Sequence, residues 1–299
     1  MFIPDPTRSE VVTKIESIFE RIADALLNEK NEVEITLSSR NGTAESPTKT
    51  DIYYRDPALF GKQAVVDRYV DDIACTFGAP RSFLNITAAA KGLVAGAFRL
   101  HKRDGSEVDG LSDREGILIP SMRDVLSVNM NCVQWIVVIE KEGKGYPDIS
   151  TRALLRFLSS SSPQNGFMSP PVYGLMDLDP DGLAILSTYK HGSSALAHEN
   201  AALVVPEMRW LGLRNAHLTD QDNAHQAQGL LSLTSRDRRK ARRMLEYAAF
   251  AEGGGEPEWR REVQVMLMLN LKAELQLLET LPNILGDMLE DGKEKPRVT

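Results

Sequence analysis

The sequence predicts a multidomain chain, α+β in its first half and α/β in its second. Three observations carry that prediction. Helical spacing of apolar residues dominates up to about residue 77; a stretch rich in Ser, Thr, Asn, Gly and Pro, residues 38–50, interrupts it; and beyond residue 130 short β-branched runs that end in acids alternate with helical patterns.

Bulk composition narrows the classes first. A chain of 299 residues suits two modest domains with an appended arm. Its 42% hydrophobic and 26% charged residues are those of a folded protein, and no apolar run approaches the ~20 residues a membrane helix needs, so no membrane partner is expected. Residues 1–6 carry no basic segment followed by an apolar one, so secretion is not expected and the compartment should be reducing. Cys75 and Cys132 lie far apart without Cys-x-x-Cys spacing, which argues against a zinc site or a disulfide framework. A net charge of −7 counts against a protein that coats nucleic acid nonspecifically, so any nucleic-acid contact must be local. One basic cluster exists: Arg236, Arg238, Arg239, Lys240, Arg242 and Arg243, on a predicted helix entered through Thr234 with Asp237 three residues on. Such a run is otherwise a solvated helix face.

The elements follow in order. Val11, Ile15, Ile18, Phe19, Ile22, Ala25 and Leu26 give an amphipathic helix over 10–27. After the linker, Leu59, Phe60, Val66, Tyr69, Val70, Ile73 and Phe77 recur at three and four, predicting a helix over 52–77 that Gly78 and Pro80 end. Residues 82–96 add a second apolar segment and a glycine loop, compatible with a winged helix-turn-helix. Val133–Ile139, ending at Glu140, and Pro171–Met176, ending at Asp177, read as buried parallel strands. Helices are predicted over 150–158, 183–189, 234–250 and 259–278, and the charged tail after Asp287 should fray.

Chemistry concentrates at strand ends. Glu140 and the Asp177/Asp179 pair each follow a strand, where ligands of open α/β sheets collect, and three carboxylates suit magnesium with a phosphate substrate. The bland alternative is two solvated strand ends. Asp177-Leu-Asp-Pro-Asp-Gly182 opens like a calcium loop but fails at its twelfth place, Thr188, and follows a strand rather than a helix. Tyr53 and Tyr54 stand beside Arg55; a tyrosine of pKa about 10 needs a cation or metal to attack phosphorus, and a neighbouring pair is ordinarily packing. Lys91-Gly92 could approach phosphate closely, or simply form a turn.

Taken together and in this order, these pieces resemble the family that holds the initiator of meiotic recombination and the A subunit of topoisomerase VI. Asp51-Ile-Tyr-Tyr-Arg-Asp56 is similar to its catalytic motif, Thr87-Ala-Ala-Ala-Lys-Gly-Leu93 to its DNA-contacting loop, and Gly116-Ile-Leu-Ile-Pro120 to the exit from its winged-helix domain. Val137-Val-Ile-Glu-Lys-Glu142 resembles the start of its Toprim domain, and Gly143-Lys-Gly-Tyr-Pro-Asp148, Thr151-Arg152, the Asp177–Gly182 segment and Trp210-Leu-Gly-Leu-Arg214 continue the match. The resemblance implies an N-terminal helix and linker (1–49), a CAP-like winged-helix domain (50–122) and a Toprim domain with C-terminal helices (123–299). It implies Tyr54 as nucleophile, Arg55 as a supporting cation, and Lys91, Gly92, Lys144 and Arg214 on DNA. It further implies Mg2+ on Glu140, Asp177 and Asp179, with Glu142 and Asp181 left open as further ligands. Its product is a double-strand break with 5′-phosphotyrosyl ends. The partners are duplex DNA, a second protomer, meiotic accessory proteins and a topoisomerase VI B-like subunit; the location is the nucleus. No Walker-type phosphate loop is present, so ATP binding is not expected.

Two departures bear on these expectations. Thr50 stands where the family has an arginine, leaving Lys49 or Arg55 to replace it. Glu142 runs straight into Gly143, where the family has a helix and a strand, so the Toprim domain is expected to lack that segment and to be weakened in metal binding. A catalytically impaired binding module and a metal-dependent nuclease that uses water are the competing readings.

Overall fold

A computed structural model describes residues 61–77, 92–122, 124–140, 146–193, 200–218 and 229–280, with Thr13, Glu16, Ser17, Glu20 and Ala197 as isolated positions. The expected helix over 10–27 lies outside these residues except for Thr13, Glu16, Ser17 and Glu20, which are helical and exposed. The linker and the tail after Asp287 also lie outside them.

Helix α1, Gln63–Phe77, is the described part of the helix expected over 52–77, and it buries Val66, Val70, Ala74 and Phe77 on one stripe. Strands β1 (Leu93–Val94), β2 (Arg99–Lys102), β3 (Glu107–Asp109), β4 (Ile117–Leu118) and β5 (Val125–Asn129) follow. β1 pairs with β4, and β3-β2-β5 forms an antiparallel sheet. The β2–β3 turn is built on Asp104, whose carboxylate accepts from Ser106 N–H at 2.9 Å, and on Gly105 at φ 82°. Residue 122 falls between two paired strands, β2 and β5. After α1, residues 78–91 of the expected helix-turn-helix lie outside the described residues.

The second half holds the predicted parallel sheet. β6 (Ile136–Ile139), β7 (Val172–Leu175) and β8 (Arg209–Leu211) lie in the order β6-β7-β8, both pairs parallel. β6 begins three residues later than expected, because a turn closed by Val133 N–H on the Met130 carbonyl precedes it. β7 is buried along its whole length, as a central parallel strand should be: Tyr173 and Leu175 meet Leu211 on one face, and Val172 joins the main core on the other.

Helices α2 (Ile149–Ser159), α3 (Pro180–His191), α4 (Asn200–Leu203), α5 (Asn215–Leu218), α6 (Ser235–Met244), α7 (Pro257–Leu269) and α8 (Leu277–Thr280) cover the sheet, and β9 (Leu230–Ser232) pairs with β10 (Leu271–Ala273). α2 carries Leu155 into the main core and Leu154 and Leu158 into the cluster beneath β2 and β5, so one helix ties the two sheets together. The helix expected over 259–278 is corrected. Asn270 adopts the left-handed conformation at φ 54° and ends α7, after which the chain turns extended as β10. The helix expected over 234–250 also stops early, at Met244.

Thr234 and Asp237 close the anticipated capping box: the Thr234 hydroxyl accepts from Asp237 N–H at 3.1 Å and the Asp237 carboxylate from Thr234 N–H at 3.0 Å. Thr234→Ala should therefore cost about 1 kcal/mol, read as a lower chemical-denaturation midpoint at unchanged slope; an unchanged midpoint would show the cap to be dispensable.

Candidate acidic centre

β6 and β7 are neighbours in register, Ile139 opposite Leu175, so the residues leaving their carboxyl ends emerge side by side. Glu140 N–H donates to the Leu175 carbonyl, and the Glu140 carboxylate accepts from Asp177 N–H at 3.2 Å. Asp177 accepts from Leu275 N–H at 2.8 Å. Asp179 is the N-cap of α3, accepting from Gly182 N–H at 2.7 Å, with Pro180 at the first helical position. Glu140 at the end of β6 thus meets the turn after β7 that carries Asp177 and Asp179, and each of the three accepts from a backbone amide. The preceding element is a strand and Asp179 caps a helix, which is unlike a calcium loop.

Burial raises all three carboxyls. Glu140 is pushed up to about 7, by burial first and then by the charges of Asp177, Asp179 and Asp181. Burial likewise lifts Asp177 and Asp179, each against the pull of the amide it accepts from. Asp181 moves the other way: burial pushes it up, but the hydrogen bond and charge of Lys240 and the charge of Arg236 outweigh burial and hold it below the usual range. Its carboxylate is bound by Lys240 and, at 3.0 Å, by Arg236.

The C-terminal segment forms one wall. Leu178 and Ala273 exchange backbone hydrogen bonds at 2.8 and 3.1 Å, and Lys272 stands 3.9 Å from Asp179 and 3.2 Å from Asp237. Gly182 allows the closeness: a Cβ there would overlap the Asp177 carbonyl oxygen and stand 3.0 Å from Glu140 Oε2.

Among the described residues no group of three or more His, Cys, Asp and Glu side chains is gathered closely enough to hold a metal ion. The chemistry of Glu140, Asp177 and Asp179, though not a closed geometry, is the kind that magnesium takes. The donors are hard oxygens whose repulsion a cation would relieve, and magnesium commonly takes only one or two carboxylates and completes its shell with water and phosphate.

Of the other predicted residues, Gly92 packs against α2, where a Cβ would overlap Thr151 Oγ1 and lie 2.8 Å from Ile119 Cδ1. Arg214 stacks on the Trp210 ring, 3.5 Å from its centroid, and binds Glu258 at 3.2 Å. Tyr54, Arg55, Lys91, Lys144 and Glu142 lie outside the described residues. Sequence reasoning missed Lys272, Leu275 and the pairing of Lys240 with Asp181. The signal for Lys240 was its basic run, but a partner 59 residues away is visible only in three dimensions.

A parallel sheet with a Glu after one strand and Asp-x-Asp after the next is the acidic centre of a Toprim-type domain. The family described as the Toprim domain of Spo11 and of the topoisomerase 6 A subunit matches residues 125–285, and the family "Type IIB DNA topoisomerase" matches residues 39–86. The chain is 32% identical over 253 aligned positions to the meiotic recombination protein SPO11 of Homo sapiens, covering 77% of this chain and 61% of that one. It is 34% identical to the meiotic recombination protein rec12 of Schizosaccharomyces pombe (82% and 71% covered) and 31% identical to the A subunit of DNA topoisomerase 6 from Arabidopsis thaliana (78% and 57%). The chain belongs to the family of Spo11 and the topoisomerase 6 A subunit. It spans about three fifths of the length of the human protein, at 61%, and of the rice protein SPO11-1, at 64%.

Proposed function

We propose that this chain cuts both strands of DNA by tyrosine transesterification, as an initiator of meiotic recombination. The observation that carries the reading is the meeting of Glu140 with the Asp177–Asp179 turn at the ends of adjacent parallel strands, in a chain whose relatives are named for meiotic recombination and for topoisomerase 6. In the proposed reaction the Tyr54 phenol oxygen attacks a backbone phosphorus. A tyrosyl P–O bond forms as the bond to the 3′ oxygen breaks; the phenol proton is lost and the leaving oxygen takes one up, giving a 5′-phosphotyrosyl link and a free 3′-hydroxyl. Arg55 opposes the charge that develops, with Lys49 as the other cation of the motif. Lys91, Gly92, Lys144 and Arg214 contact the DNA backbone. Glu140, Asp177 and Asp179 hold magnesium, which when bound supplies positive charge beside the phosphate. Each strand takes one protomer, the tyrosine of one working with the acidic centre of the other. Meiotic accessory proteins and a B-like subunit complete the assembly in the nucleus.

A second reading has its own support. The human alignment runs over 253 positions, while 77% of 299 residues is about 230, so roughly 20 aligned positions lack a residue here. Glu142 is joined directly to Gly143, and among the described residues β6 has no neighbour on its outer edge. These features favour a chain that lacks a helix–strand segment after Glu142, binding DNA or partners with impaired chemistry.

Covalent capture separates the readings. The protein is incubated with labelled duplex DNA and magnesium and then denatured. Label on the wild type and none on Tyr54→Phe is the expected result. Cleavage that survives Tyr54→Phe would mark a nuclease using water, and label on neither protein would favour the impaired module.

A further inference from the structure

Six of the ten residues of α6 are arginine or lysine, in a chain of net charge −7. Asp237, Ala241 and Met244 form the buried side of the helix. At 100° per residue, Arg236, Arg239, Lys240 and Arg243 share one flank of what remains. The inner edge of that flank touches the acidic turn: Arg236 and Lys240 both bind Asp181, two residues past Asp179, and Lys240 donates to the Tyr146 hydroxyl at 3.1 Å. Arg239 and Arg243 are exposed, and among the described residues no carboxylate pairs with them.

A solvated helix normally interleaves acids three and four residues from its bases, which stabilises it; like charges at that spacing do the reverse. The sole acid of α6, Asp237, is buried and used by the cap and by Lys272. Asp181 offsets charge at Arg236 and Lys240, but Arg239 and Arg243, four residues apart, repel each other until a polyanion covers them. From Arg236 to Arg243 the flank runs about 10 Å, three base-pair steps of duplex DNA at roughly 3.4 Å each.

We propose that this flank of α6 is the track along which the DNA backbone reaches the acidic centre, Arg239 and Arg243 binding phosphates outside it and Arg236 and Lys240 at its edge. The inference rests on the DNA-cleaving function proposed above. Its test is the affinity of the full chain for a fluorescent duplex, followed by anisotropy across a salt series. The proteins compared are the wild type, the double variant Arg239→Gln/Arg243→Gln, and Arg261→Gln, which removes an exposed arginine from α7. The double variant should bind about tenfold or more weakly near 0.1 M salt, with the slope of log affinity against log salt reduced by about 2. Its melting temperature should not fall, and Arg261→Gln should bind like the wild type. Wild-type affinity and slope in the double variant, or an equal loss in Arg261→Gln, overturns the track alone. A wild-type chain that fails to bind duplex DNA overturns the track and the DNA-cleaving reading together.

Discussion

Glu140→Gln is expected to make the metal-free protein more stable at pH 8 while lowering magnesium-dependent DNA cleavage about 100- to 1000-fold, the usual cost of deleting one electrostatic stabiliser. The two effects have one origin. Burial and the neighbouring charges of Asp177, Asp179 and Asp181 raise the Glu140 carboxyl from 4.5 to about 7. The folded protein therefore holds a proton that the unfolded chain has released, and wild-type stability falls as pH rises from about 4.5 through about 7. Glutamine carries no titrating group, so the advantage of the variant grows across that window and then levels off. On the order of 2 kcal/mol is expected after allowance for solvent screening. The same proton must leave before a cation can bind, so the stabilisation conferred by magnesium on the wild type should shrink below pH 7. Melting curves from pH 4 to 9, with chelator and with magnesium, check each part. Parallel wild-type and variant curves would show that Glu140 ionises as an ordinary glutamate.

Gly182→Ala is the second large effect. Its Cβ would overlap the Asp177 carbonyl oxygen, a backbone atom that cannot swing aside, and press on Glu140 Oε2 at 3.0 Å. Either the first turn of α3 leaves its Asp179 cap or the end of β7 moves, and both routes separate the acids. The strain should cost about 2–3 kcal/mol, lowering the melting temperature by roughly 3–5 °C, and cleavage should fall with it. Gly255→Ala is the control, since a Cβ there meets nothing within 4 Å. Equal melting temperatures in the two variants would show that the turn yields more easily than its contacts imply.

The sequence made the parallel strands legible because Ile136–Ile139 and Val172–Leu175 are short apolar runs that lead into acids, although Ile139 itself is exposed. With them came the pairing of Glu140 with Asp177 and Asp179, since adjacent parallel strands bring their carboxyl ends together. The β2–β3 hairpin was missed although Asp104-Gly105 carries its turn signal, because the flanking strands of four and three residues barely alternate. β8, three residues long, is too short for any period to register, whereas Leu269 to Leu277 alternates apolar and polar across β10, a strand signal hidden because Leu267, Leu271, Leu275 and Leu278 also continue the helical spacing of α7. The electrostatic surroundings of the acids were hidden for another reason. Lys240, Lys272 and the Leu275 amide reach them from 59, 93 and 98 residues away in the chain, distances over which local pattern carries no information.

The bond from Leu275 N–H to Asp177 also bears on the order in which the protein is made. Synthesis delivers Glu140 first and the Asp177–Asp179 turn next, but the amide that fixes Asp177 and the lysine beside Asp179 arrive only with residues 272–275. A nascent chain halted before that point has its acids but not the wall that orients them. The acids therefore gain their full set of contacts late, after the β6-β7-β8 sheet and most of its helices have been synthesised.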